Sequence, residues 1–289
     1  MFSGCIPALV TPFNKSGNLC KRTLKKLIKW HLAQGSDGIL IAGCTGESFT
    51  LGEDERDSML EIALETVDGK IPVLIGTGAS QTKVAIDRTK RAKKFCADGA
   101  LVITPFGNKP TQNALVKYFE SIADIGLPVV LYNVPSRTGT NLLPDTVIKL
   151  AKHSNVVAIK EASGNLDSVS AILNDVPKFT VLSGDDSLTL PMLALGAKGV
   201  ISTVANIATA HFSRMIRAFN DGDLKTAQRI HYRLFPVIKA IFVEGNPVPL
   251  KYAMSLMGLC DERLRPPLSP ASPETKKLIA KVLKSAKLI

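Results

Sequence analysis

Two residues draw attention because each ends an apolar run with the character of a strand. Residues 156–160 read VVAIK and residues 128–132 read PVVLY, so Lys160 and Tyr132 occupy equivalent places. A lysine at the end of a buried strand loses the hydration of its ammonium, which costs several kcal/mol unless something compensates. The residues alone leave two outcomes open. Lys160 either keeps its charge in an ion pair, with Glu161 or Asp185 as the nearest candidates, or burial pulls its pKa from ~10.4 toward neutrality. In the second case the amine can attack a ketone and form a protonated Schiff base, an electron sink for making an enamine.

Such a residue needs a scaffold to hold it. Eight short apolar runs recur: 6–10, 38–42, 72–76, 100–104, 128–132, 156–160, 179–183 and 199–202. They are continuous rather than alternating, as parallel strands covered on both faces require. Between them lie amphipathic stretches. Leu24, Leu27, Ile28 and Leu32 share one helical face, and Met59, Ile62, Ala63 and Val67 share another. Strand and helix alternate to about residue 220, which predicts a (β/α)8 TIM barrel; a doubly wound sheet is the rival. After Asp223 the pattern is purely helical: 224–241, a turn around EGNPVP, then helices near 250–257 and 273–286. The expected organisation is a barrel carrying the active site over residues 1–222 and a C-terminal helical extension over 223–289.

In a barrel of this kind chemistry gathers at the C-terminal ends of the strands. There the chain has GCTGES (43–48), GTGAS (76–80), TPFGN (104–108), YNVPSRTG (132–139), KEASGN (160–165), SGDD (183–186) and ISTVAN (201–206). Taken singly, each could be an ordinary polar turn. Lys160 and Tyr132 are different, because each ends an otherwise apolar strand, and in a barrel both would project toward one mouth. GTGAS begins like a dinucleotide fingerprint, yet the third glycine position is Gln81 and no acidic residue closes the next strand at the required spacing. No phosphate-loop motif is present.

Composition removes other classes. Of 289 residues 45% are hydrophobic and 21% charged, a globular balance. No apolar run reaches the ~20 residues that cross a bilayer, and the N-terminus lacks the layout of a secretory signal. Five cysteines with no CxxC pair suit a reduced, cytoplasmic protein. Four scattered histidines argue against a zinc site. The net charge of +11 raises the question of nucleic acid. However, the basic runs at 21–29 and 90–94 alternate with apolar positions and lack interleaved aromatics, as solvated helix faces do. A positive field also favours small anionic substrates.

GCTGES, YNVPSRTG, IKEASGN, LSGDD, GVIS and FVEGNPVPLK together, in order and over nearly the whole chain, resemble the dihydrodipicolinate synthases. These belong to the pyruvate-dependent class I aldolases, with N-acetylneuraminate lyase. The resemblance implies a (β/α)8 barrel and no cofactor beyond pyruvate bound covalently to Lys160 as a Schiff base. It implies that Tyr132 donates and accepts protons and that Thr45 and Gly46, through the loop's hydroxyl and amides, hold the pyruvate carboxylate. The Ile201 backbone would line the same pocket, and Arg137 would meet the carboxylate of aspartate semialdehyde, which a guanidinium fork suits. A homo-oligomer is implied too, either a tetramer built from two dimers or a dimer.

Two positions depart from the family pattern. Cys44 stands where the first threonine of a Thr-Thr pair usually relays protons. Gly107, after Phe106, stands where a tyrosine reaches the neighbouring subunit's site. A thiol is a weak hydrogen-bond partner and glycine has no side chain, so a slow synthase or a shifted substrate is expected. Lysine-inhibited members line an interface pocket with histidine, asparagine, glutamate and tyrosine. Here the corresponding stretches hold Glu53, Arg56, Ser80, Val84 and Phe106, and insensitivity to L-lysine is expected. Two other readings stay open: a related aldolase acting on a sugar-acid-like substrate, and a non-catalytic paralogue that binds a 2-oxo acid.

Overall fold

The computed structural model describes residues 2–289. Its eight strands are β1 (Gly4–Pro7), β2 (Ile39–Ile41), β3 (Val73–Gly76), β4 (Gly99–Ile103), β5 (Val129–Asn133), β6 (Val156–Glu161), β7 (Thr180–Ser183) and β8 (Gly199–Ser202). All pair in parallel, in the order β1-β8-β7-β6-β5-β4-β3-β2. A parallel bridge between Ala8 and Leu40, with Leu9 N–H donating to Leu40 O at 2.8 Å, brings β1 to β2 and closes the ring. The fold is a (β/α)8 TIM barrel with helices outside and further helices at the C-terminus, as the sequence pattern predicted.

Two apolar layers follow from strand alternation. Ile6, Leu40, Leu74, Leu101, Val130, Ala158, Leu182 and Ile201 point inward and fill the barrel. Their outward neighbours, among them Ile39, Ile75, Val102, Leu131, Ile159 and Val181, pack beneath the helices. The helical stripes read from spacing are the buried faces: Leu24, Leu27 and Ile28 in the helix Lys21–Ala33, and Met59, Ala63 and Val67 in Glu53–Val67. On the first of these helices Lys21, Arg22, Lys26 and Lys29 face outward, and Lys25 pairs with Glu65 of the neighbouring helix at 2.6 Å.

One strand is displaced from its predicted place. The run 6–10 continues as extended chain, but the regular ladder covers Gly4–Pro7. Past Pro7 the backbone makes two more bonds, Ala8 N–H to Ser202 O and Leu9 N–H to Leu40 O, both at 2.8 Å, and the Asn206 side chain accepts from Val10 N–H at 3.1 Å and donates to Ala8 O at 2.7 Å. The C-terminal helices Leu224–Ile241, Val248–Leu256 and Pro273–Ser285 lie within one or two residues of the expected spans. They share an apolar cluster with β1, β8 and the helix Ala205–Asn220, in which Phe212, Leu234, Leu250 and Ile279 are fully buried. No helix among the described residues is long and apolar enough to cross a membrane.

Phe212 sits where the barrel meets the added helices, so truncating it tests whether the two act as one core. Phe212→Ala is predicted to cost about 3–5 kcal/mol, read as a lower urea midpoint monitored by circular dichroism. A separate early transition confined to the C-terminal helices would contradict a shared core.

Candidate active site

Register explains why Lys160 and Tyr132 meet. Tyr132 on β5 is the Cα partner of Lys160 on β6, so both side chains emerge on the inner face at the same level. The Lys160 Nζ lies 4.3 Å from the centre of the Tyr132 ring. Both residues are buried. One position further along, Asn133 and Glu161 are again partners and face the other way. Asn133 Nδ2 donates to Glu161 at 3.0 and 3.2 Å and to Asn141 Oδ1 at 2.8 Å, and Asn133 Oδ1 accepts from Leu142 N–H at 2.9 Å. This outer pair anchors the loop that carries Arg137.

The ion-pair reading of Lys160 is overturned. Among the described residues no carboxylate lies within 4.0 Å of its amine. Glu161 follows it on the strand and therefore points outward, where it also accepts from Ser163 N–H at 2.6 Å. Asp185 turns its carboxylate onto Ser187, accepting from the backbone N–H at 3.0 Å and the hydroxyl at 2.8 Å. Burial without a direct counter-ion lowers the Lys160 pKa to about 8. The negative charge of buried Asp186, and Cys44 if ionised, oppose that shift, while the nearby Arg137 adds to it. Burial raises the Cys44 thiol, which keeps it protonated, so Asp186 is the working anion. Burial pushes Asp186 up to about 6, leaving it mostly ionised near neutrality.

Asp186 also shapes the neighbouring wall. It accepts from the Ser202 hydroxyl and from the backbone N–H groups of Thr203 and Val204, at 3.2 and 3.1 Å. That clamps the end of β8 and aims Thr203 into the site. Thr203 Oγ1 lies 3.1 Å from Thr45 Oγ1, and Asn246 Nδ2 donates to Thr45 Oγ1 at 3.0 Å. Gly184 is required by crowding: an added Cβ would lie 2.9 Å from Lys160 Cγ and 3.0 Å from Lys160 Cε.

These groups line one cavity of about 490 Å³. Thr45, Tyr132, Arg137, Lys160 and Thr203 come from the barrel, and Ile238, Lys239, Phe242 and Asn246 come from the C-terminal helical region. Arg137 stands exposed at the entrance, donating to Asn246 O at 3.3 Å. Cys44 lies off this cavity, in a small adjoining one that shares Tyr132. Gly46 is packed under the loop: its N–H donates to Gly43 O at 3.0 Å and its carbonyl accepts from Thr11 at 2.5 Å. Ile201 lies in the barrel interior, and Thr203 supplies the lining at that strand end.

Gly107 is exposed, at φ +84. Its neighbour Phe106 packs edge-on against Phe49, with ring centres 4.9 Å apart. Asp186, Thr203, Gly184 and Asn246 were not singled out by sequence reasoning. Their signals were present, in the paired acids of SGDD, in ISTVAN and in EGNPVP, but the partners that give them meaning lie far off in the chain.

The family model described as the dihydrodipicolinate synthetase family matches residues 1–286. The chain belongs to that family. As a member it is a lyase. It is 46% identical, over the full length of both chains, to the 4-hydroxy-tetrahydrodipicolinate synthase of Pelobacter propionicus. Among solved structures it is similar to the dihydrodipicolinate synthase of Thermotoga maritima, with TM-score 0.97 and 40% identity over all of both chains. It is also similar to that of Cyanidioschyzon merolae, solved with lysine bound, with TM-score 0.97 and 39% identity over 100% of this chain and 99% of that one.

A lysine held near pKa 8 should react with an amine-selective probe at lower pH than the surface lysines. Peptide-resolved labelling with trinitrobenzenesulfonate is expected to show a Lys160 midpoint near pH 8, against ~10.4 for an ordinary lysine. Asp186→Asn removes the buried anion that favours the ammonium, so the midpoint should move to lower pH. A Lys160 midpoint matching the surface lysines would refute this account of the site.

Proposed function

We propose that the protein is a 4-hydroxy-tetrahydrodipicolinate synthase, which condenses pyruvate with L-aspartate 4-semialdehyde through a Schiff base on Lys160 and serves lysine and diaminopimelate biosynthesis. The observation that carries this reading is the buried Lys160 amine, without a direct counter-ion, 4.3 Å from the Tyr132 ring. A cavity of about 490 Å³ is ample for both substrates. Arg137 and Lys239 on its wall suit two carboxylates.

In this reading neutral Lys160 attacks the keto carbon of pyruvate to give a carbinolamine. Tyr132 donates a proton to the departing hydroxyl, and water leaves. The protonated imine then gives up a methyl proton, forming an enamine. Thr45, held by Thr203 and Asn246, positions the pyruvate carboxylate, while Arg137 receives the carboxylate of the incoming aldehyde. The enamine carbon attacks the aldehyde, whose oxygen takes a proton. The amine of the second substrate then displaces Lys160 as the ring closes. The imine itself is the electron sink, so the chemistry calls for no cofactor. Burial raises the Tyr132 phenol well above its ordinary pKa, which suits a group that must hold its proton until the carbinolamine breaks down.

The relay around Tyr132 is thinner than the family pattern. Cys44 offers a thiol beside it, and Gly107 offers nothing. We expect slower turnover than in relatives that carry both hydroxyls. Insensitivity to L-lysine is also part of the proposal. Arg56 is buried, and its guanidinium donates to Ser48 O at 2.6 Å and Gly76 O at 2.9 Å, a fixed positive charge that disfavours an ammonium ligand. Assembly as a homo-oligomer, a dimer or a tetramer, is supported by exposed apolar side chains such as Phe49, Leu195, Tyr232 and Phe235. A cytoplasmic setting fits the five free thiols.

Borohydride treatment with pyruvate tests the mechanism: hydride reduces the imine to a stable secondary amine. Mass mapping should find the added three-carbon unit on Lys160. An unmodified Lys160 in protein that was saturated with pyruvate would end the Schiff-base reading. Turnover with aspartate semialdehyde, compared with sugar aldehydes, tests the second substrate.

Cys44→Thr restores one hydroxyl and should raise kcat toward about 10²-fold, the low end of general acid–base assistance. No rise would show that the thiol is not the weak point. Gly107→Tyr is a poorer test, because φ +84 strains any side chain there. Millimolar L-lysine should leave the rate unchanged, and clear inhibition would contradict the role given to Arg56.

A further inference from the structure

Behind the loop that carries Cys44 and Thr45 lies a buried ionic cluster. Glu47 occupies the left-handed conformation, φ 54 and ψ 37, between two short 3₁₀ turns, so its side chain leaves the loop away from the cavity. Its carboxylate meets Lys251 Nζ at 2.5 Å, and neither side chain has any exposed surface. Lys251 Nζ also donates to Arg263 O at 2.6 Å and sits 4.3 Å from the centre of the Phe13 ring. Arg265 covers the same ring at 4.3 Å, and its backbone N–H donates to the other Glu47 oxygen at 2.9 Å. Its guanidinium donates to Glu55 and to Thr50 O, fastening the chain on the far side of the same loop.

The geometry of this cluster gives it a second consequence. Asn246 and Lys251 lie five positions apart on one segment, the turn into the helix Val248–Leu256. Asn246 holds Thr45 from the cavity side, and Lys251 holds Glu47 from behind. The loop is therefore gripped on both sides of Gly46 by a single piece of the C-terminal region. We infer that Glu47 and Lys251 are positioning residues for the proposed reaction, setting the place of Thr45 and hence of the 2-oxo acid's carboxylate relative to Lys160.

This inference rests on the Schiff-base reading, so the test separates the two. Reductive trapping on Lys160 is titrated against pyruvate for wild type, Glu47→Gln, Lys251→Met and the double variant. Glu47→Asp serves as a conservative variant that keeps the charge.

Each single variant should raise the half-saturating pyruvate concentration by about 10-fold, within the range a misplaced binding group produces. The pH midpoint of trapping should stay where it is in wild type, because Lys160 keeps its surroundings. Glu47→Asp should fall between. The double variant has no unpaired buried charge, so its melting temperature should recover toward wild type while its pyruvate requirement stays high. That split is what a merely structural pair would not produce.

Recovery of pyruvate saturation together with stability in the double variant would overturn the inference. So would single variants that trap like wild type. Should Glu47→Gln or Lys251→Met fail to fold, Glu47→Asp and the double variant decide by the same two readouts. Wild type that is never trapped rejects the Schiff-base reading itself.

Discussion

An ammonium ion that has lost its water and gained no direct counter-ion is the constraint on which the site depends. Dehydration of Lys160 favours the neutral amine, and the barrel supplies that dehydration by ending an inward strand position beneath Tyr132, Gly184 and the C-terminal loop. A helix-borne or loop-borne lysine could snorkel to water along its four-carbon stem. A strand-borne lysine that emerges among other strand ends has less freedom, because its direction is set by the pleat. The same pleat sends Glu161, the most obvious counter-ion, to the opposite face.

The charges that act on the amine are then ones that do not touch it. Arg137 at the mouth adds positive potential, which lowers the Lys160 pKa further and attracts anions. Asp186, behind the wall, pulls the other way without touching the amine, since its oxygens are taken by Ser202, Thr203 and Val204. A contact carboxylate would have restored the ammonium outright. One held at a remove limits the depression, leaving a pKa of about 8, from which neutral amine is accessible near physiological pH. The carboxylate thus tunes the amine and, by clamping the end of β8, sets the position of Thr203.

Much of this was legible from residue order, and the exceptions share a cause. Seven of the eight strand runs coincide closely with strands because continuous apolar segments have few other places to go. The first run misled by a few residues because Asn206, almost two hundred positions away, takes the bonds of Val10 N–H and Ala8 O that a longer strand ladder would have used. Lys160 and Tyr132 could be picked out because each breaks a local pattern. Asp186 and Asn246 break none. An acid after a strand or an asparagine before a proline is common in turns, and only the fold reveals that Asn246 reaches Thr45 across 201 positions. Glu47 and Lys251 were likewise invisible, since a charged pair announces burial only once both members are placed.

The C-terminal helices follow from the same physics. A barrel mouth is an open ring of polar strand ends. The end of the helix Leu224–Ile241 and the turn at Phe242–Asn246 cover one side of that mouth with Ile238 and Phe242 while leaving Arg137 at the entrance. The cover must be registered with the strands it shields, and apolar packing is poor at fixing register. Directional contacts do that better: Asn246 onto Thr45, Lys251 onto Glu47, and Arg265 onto Glu55 and Thr50. A buried ion pair contributes little net stability against a well-packed apolar alternative, so its presence beneath the loop is better explained by the orientation it imposes. Dehydration of the amine and orientation of the loop that faces it are thus delivered by one appended segment.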